Sequence, residues 1–295
     1  MNITGRIKLQ KLKSELLAIF LFVISSIFSL YLALNLYSAP GIKSESNSIN
    51  IFFVFYYILF LVVFTVIILF FVKKHARLIK SIFTIMVIYM VFIVSSIISG
   101  IVSVNIFEYY SIIAIVTGFI SYMVIFKNEW YITDTAGIIM ISGAAAIIGI
   151  LLKPYIAIVL LIVFAVYDYI SVYKTKHMVT LAKAAVDNSF PLMFALPNNK
   201  GMKMKDLTFD NRGESDVLML GFGDMAIPEM LIVSSSIFYI NHILLFATFT
   251  IGGAVIALYL LFFTNKNKPA PGLPYINTGV ILGFLAALLI IHLIK

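Results

Sequence analysis

Asp168 and Asp224 lie inside long apolar runs, within Val166-Tyr167-Asp168-Tyr169 and Gly221-Phe222-Gly223-Asp224. A carboxylate at the centre of a bilayer costs about 2.5–3.5 kcal/mol even on the lenient insertion scale, so such a group is a functional candidate by default. Two carboxyls held close together cannot both ionise and are left sharing one proton. In that state one carboxylate takes a proton from water while its protonated neighbour polarises a peptide carbonyl, which is aspartyl-protease chemistry. A structural acid pair and the proton relay of a transporter use the same two residues, and both stay open at this point. Gly221 and Gly223 let backbones approach closely and leave room beside Asp224 for an extended substrate. Tyr167 can hydrogen-bond or pack against Asp168.

Depth brings the two aspartates together. At about 1.5 Å per residue, Asp168 lies roughly 9 Å below the surface marked by Lys174, and Asp224 roughly 12 Å below the same surface at Asp216. Of thirteen acidic residues, ten fall in loops or at helix ends, and Glu229 is the third acid inside an apolar run. It follows Pro228, whose ring frees a backbone carbonyl, and reads as a structural acid rather than part of a proton path. His75 and His177 fall in basic loops, and His242 and His292 near the opposite surface. None pairs with acids at ligand spacing, and there is no cysteine, so the chain is expected to hold no metal and need no cofactor.

The elements that carry these residues must be membrane helices. The 295-residue chain is 62% hydrophobic and 12% charged, more apolar surface than a soluble fold of this size can hide. Its net charge of +8 sits in short tracts between apolar runs, the pattern that fixes orientation and meets anionic headgroups, and not a nucleic-acid surface. Nine segments reach or approach the roughly 20 residues a crossing needs: 15–38, 50–72, 81–104, 109–126, 134–152, 154–174, 216–239, 243–263 and 271–294. The first is too long for a signal-peptide core and reads as a retained helix. A cytoplasmic N-terminus and an outer C-terminus put 18 of the 21 lysines and arginines inside, leaving only Lys43, Lys153 and Lys295 outside. The fold expected is an all-α integral membrane protein, multi-pass and in the plasma membrane. Residues 1–153 form a five-helix scaffold and 154–295 a four-helix catalytic half. The cytoplasmic loop 175–215 opens with an amphipathic stretch, Lys176 to Val186, and continues as a polar one from Asn198 to Ser215.

Tyr-Asp in the sixth span with Gly-x-Gly-Asp in the seventh, within nine spans, resembles the presenilin and signal-peptide-peptidase family of intramembrane aspartyl proteases. That family carries a third motif, Pro-Ala-Leu, at the cytoplasmic start of the ninth helix. The matching residues here are Pro271-Gly272-Leu273-Pro274, with Gly272 in place of the alanine; Ala195-Leu196-Pro197 is set aside as a chance match in the loop. The resemblance covers about 154–290 and implies that Asp168 and Asp224 are catalytic. It also implies that Tyr167, Gly221, Gly223 and the Pro271–Pro274 segment position substrate. The inner N-terminus is like presenilins rather than signal peptide peptidases, and the short termini resemble a single-chain prokaryotic homologue. Substrates would be single-span membrane proteins met in the lipid bilayer, by single copies or a homo-oligomer of the enzyme. A preflagellin or prepilin-type peptidase shares Gly-x-Gly-Asp but has fewer spans and lacks Pro-x-Leu. A proton-coupled transporter should show broken helices in paired halves, and Pro228 is the one break visible. A non-catalytic helix-binding protein would keep its function without either aspartate.

Overall fold

The computed structural model describes residues 3–39, 42, 75–127, 129–175, 185, 190–197, 217–264 and 270–294, with seven single residues between 52 and 71. The described helices are α1 (Ile3–Ser38), α2 (Ala76–Val102), α3 (Ile106–Phe126), α4 (Trp130–Leu151), α5 (Pro154–Tyr173), α6 (Phe222–Phe238), α7 (Ile243–Thr264) and α8 (Gly272–Ile294). Between α5 and α6 lie two strands, β1 (Met193–Pro197) and β2 (Val217–Gly221). Among the described residues seven helices are long and apolar enough to cross a membrane, and α6, at 17 residues, falls just below that length.

Three expectations need correction. The run 216–239 is not one helix, because its first five described residues form β2 and the helix starts at Phe222. Short apolar runs carry no periodicity that separates a buried strand from a buried helix, and here β1 supplies the pairing partner. The fold is the expected helical one, with one small antiparallel hairpin added among the described residues. Its register sets Met193 against Gly221 and Pro197 against Val217. Ala195-Leu196-Pro197, dismissed above as loop, belongs to β1. Among the acids, Asp134 is not at a helix end, since α4 begins at Trp130 and Asp134 is only 5% exposed one turn inside it. The expected span 50–72 and the two stretches of the loop expected to be cytoplasmic, 176–186 and 198–215, fall largely or wholly outside the described residues.

A continuous apolar core runs through α1, α4, α5, α6, α7, α8 and the hairpin. Inside a bilayer the drive to pack comes from close fit and polar contacts between helices, because lipid is as apolar as the side chains. Small residues provide the fit. A Cβ on Gly253 of α7 would overlap the Gly279 carbonyl of α8, and one on Gly283 would overlap the Phe249 carbonyl, so these two backbones touch directly. Polar contacts fix the register elsewhere. Asn277 Nδ2 of α8 donates to the Leu161 carbonyl of α5 at 2.8 Å, and Ser234 Oγ of α6 donates to the Leu152 carbonyl at 2.6 Å.

Candidate active site

Helix α5 opens on Pro154 at its first turn, where a missing N–H costs nothing. Its buried residues, Ile156, Ala157, Leu160, Leu161, Phe164, Asp168 and Ser171, recur at three- and four-residue intervals, so Asp168 continues the stripe that faces the bundle. Only 2% of Asp168 is exposed. Tyr167 sits one position round the helix and is half-buried.

The second aspartate is placed by the hairpin. Strand β2 ends at Gly221, which is the N-cap of α6, so Asp224 falls in the first turn of that helix. The Phe222 N–H donates to the Leu192 carbonyl at 3.0 Å, tying the junction to the start of the hairpin. The Phe222 ring is buried: it stacks edge-on against Phe194 of β1 at 4.8 Å and covers Gly137 of α4, where any Cβ would collide with it. The two motif glycines differ in their surroundings. A Cβ on Gly221 would stand 3.2 Å from Asp224 Oδ2, whereas nothing lies within 4 Å of the position a Gly223 Cβ would take. Gly223 is exposed and Asp224 half-buried, so the open side of the site is the Gly223 side.

The start of α8 closes the arrangement. The Leu273 N–H donates to Asp168 Oδ2 at 3.2 Å. One residue earlier, a Cβ on Gly272 would come within 3.1 Å of both Cγ and Oδ2 of Asp224. Adjacent residues of one segment therefore stand against both carboxyls, Leu273 by a hydrogen bond to Asp168 and Gly272 by leaving no room for a side chain beside Asp224. The first N–H groups of a helix have no intrahelical acceptor, and the helix dipole is positive there. Each aspartate thus sits at a helix N-terminus, Asp224 in its own and Asp168 at that of α8. Pro271 and Leu273 are buried and Pro274 half-buried. The segment 272–274 is the first turn of α8, not the extended stretch that a strand partner would need.

Chemically, two facing carboxyls with a shared proton can activate water toward an amide carbonyl. Among the described residues no cluster of three or more His, Cys, Asp or Glu side chains could hold a metal ion. Two contributors escape a reading of the sequence, the β1 strand and the Gly137 seat for the Phe222 ring. Phe194-x-Leu196 facing Leu218-x-Leu220 is the only local signal of the former.

Residues 19–293 match the family model described as signal-peptide peptidase, presenilin aspartyl protease. Two solved structures resemble the fold, each described as a presenilin family intramembrane aspartate protease, one from a C222 and one from a P2 crystal. Both align with a TM-score of 0.64 at 25% identity. They cover 91% and 92% of this chain and 94% and 96% of their own. No curated protein sequence matches.

Proposed function

The chain belongs to the signal-peptide-peptidase and presenilin aspartyl protease family and is an intramembrane aspartyl protease, and from that premise we propose that Asp168 and Asp224 form its catalytic dyad. The observation that carries the assignment is the joint contact of Gly272 and Leu273 with the two carboxyls. The family assignment leaves the prepilin-type and transporter alternatives without support.

In this reading the ionised member of the pair removes a proton from a water molecule, whose oxygen attacks the scissile carbonyl carbon. The protonated member gives its proton to the carbonyl oxygen, forming a neutral tetrahedral diol. Collapse of the diol returns a proton to the leaving nitrogen, breaks the C–N bond and restores one proton to the pair. Tyr167, Gly221, Gly223 and the Pro271–Pro274 segment position the substrate. Gly223 supports this role by the open space beside it, and Gly272 by its contact with Asp224.

A substrate helix must unwind before attack, because its carbonyls are held in internal hydrogen bonds. Backbone freed at membrane depth needs new partners. Strand β2 of the hairpin leads into the first turn of α6, where Asp224 stands, so an unwound substrate is expected to pair along a hairpin edge. The bundle is taken to cross the membrane nine times, α6 and the 50–72 segment completing the seven long helices. A cytoplasmic N-terminus, an outer C-terminus and a plasma-membrane location complete this reading. Single-span proteins with an outer N-terminus are the expected substrates, cut by single copies or a homo-oligomer. The test is to incubate purified detergent-solubilised protein with a single-span reporter and identify the fragments by mass spectrometry. Intact reporter, under conditions where the enzyme is folded, would overturn the substrate class.

A further inference from the structure

Glu229 takes no part in the dyad, yet it lies on the same helix as Asp224, five residues further on, and is completely buried. Its partner belongs to α1, where Ser25 Oγ and Glu229 Oε1 are hydrogen-bonded. Ser26 and Ser29 follow on the same helix, and all three serines are fully buried. Ser142 of α4 donates to the Ser25 carbonyl at 3.0 Å, so three helices meet at this point.

Proton counting says how the contact works. Ser25 Oγ is also 3.0 Å from the Phe22 carbonyl, which can only accept. A hydroxyl has one proton to give. The Phe22 carbonyl lies inside α1 and already accepts a helical N–H, so the Ser25 hydroxyl is free to donate to Glu229 Oε1. That bond ties α6 to α1.

Pro228 explains why α6 needs such a tie. Proline has no N–H, so the carbonyl four residues earlier loses its helical partner, and that carbonyl belongs to Asp224. The N–H groups of the same turn lack intrahelical acceptors because the helix has only just begun. The backbone ladder therefore holds Asp224 weakly, and contacts from outside must fix it. On one side the Phe222 ring is seated between Gly137 and Phe194. On the other, immediately past the break, stands Glu229.

We propose that Glu229 is a positioning residue for the catalytic aspartate: its hydrogen bond to Ser25 locks the rotation of α6 beyond Pro228 and so sets where the Asp224 carboxyl stands. The inference rests on the dyad assignment above. Its test compares Glu229→Gln, Glu229→Leu and Ser25→Ala, with Asp224→Asn as a parallel control, by steady-state cleavage and by binding of a transition-state mimic. Glutamine keeps a side-chain oxygen that accepts from Ser25, so Glu229→Gln should keep kcat within about threefold, whereas Glu229→Leu should lower it about tenfold or more with KM within about twofold. Mimic binding should weaken in step with kcat/KM. Combining Glu229→Leu with Ser25→Ala should do no more harm than Glu229→Leu alone, because both remove the same bond. Wild-type kcat in Glu229→Leu, or damage in Glu229→Gln equal to that in Glu229→Leu, would overturn the proposal. If Glu229→Leu does not fold, Ser25→Ala decides: an unchanged kcat there overturns it too. Continued cleavage by Asp224→Asn would instead sink the dyad assignment.

Discussion

The backbone N–H of Leu273 donates to Asp168 Oδ2 at 3.2 Å, which makes the first turn of α8 a direct partner of a buried carboxyl on α5. The contact joins residues 105 apart in sequence and places Gly272 against the second aspartate.

Asp168→Asn and Asp224→Asn should each reduce cleavage at least about a thousandfold, and combining them should do little further harm, because residues acting as a unit are not additive. Folding should survive, since asparagine keeps the shape of the side chain. Cleavage rate and melting temperature are the measurements. A rate near wild type in either variant removes that residue from the chemistry.

Gly272 should tolerate one carbon and no more. In Gly272→Ala the new Cβ sits 3.1 Å from Asp224, close enough that the carboxyl must shift by a few tenths of an ångström. Cleavage should stay within about tenfold, while Gly272→Leu should lose about a hundredfold or more through misplacement of the reacting group. The readout is cleavage beside binding of an active-site-directed mimic. Wild-type cleavage by Gly272→Leu would reduce the segment to a helix start.

Gly279→Val should destabilise the bundle without touching the site. Its added atoms meet the Gly253 backbone and Ala257, and backbone cannot rotate away as a flexible side chain would. A loss of about 1–3 kcal/mol is expected, towards the upper end. Thermal unfolding in detergent measures it, and an unchanged midpoint would mean that α7 and α8 are less closely apposed.

Orientation can be read by labelling. The chain has no cysteine, so single cysteines at Asn2, Asn199 and Lys295 give clean reporters. On intact cells a membrane-impermeant thiol reagent should reach only the one at 295. Labelling at 199 from outside would invert the topology.

Cleavage should show a bell-shaped pH dependence. In the proposed dyad one proton is held between the two carboxyls, so the rate should fall on the alkaline side as that proton is lost and on the acid side as both become neutral. The two limits belong to the pair and not to either residue. A flat profile, with chemistry shown to limit the rate, would contradict a shared proton.

Much of the site is legible in the sequence because charge is so costly in lipid. Asp168 and Asp224 stand out from their apolar runs on that ground alone, and glycines and prolines mark the segments beside them. Tertiary partnership is what the sequence hides. Nothing local says that Leu273 N–H will meet Asp168, or that Gly137 exists to seat Phe222. The hairpin is missed for a different reason: five apolar residues such as Val217–Gly221 read the same whether strand or helix. Asp134 is misplaced because its depth was judged from the edge of the apolar run, whereas α4 starts four residues earlier, at Trp130.

The first turn of α8 also gives the enzyme a clock. Ribosomes deliver a chain from its N-terminus, so α5 and α6 leave the tunnel before α8 does. A half-synthesised protein can hold both aspartates in the membrane and still lack the N–H that meets Asp168 and the bare glycine surface against Asp224. With the proposed dyad, proteolytic competence is expected only once α8 has docked, after the enzyme's own apolar segments, the nearest helices to cut, have entered the bilayer.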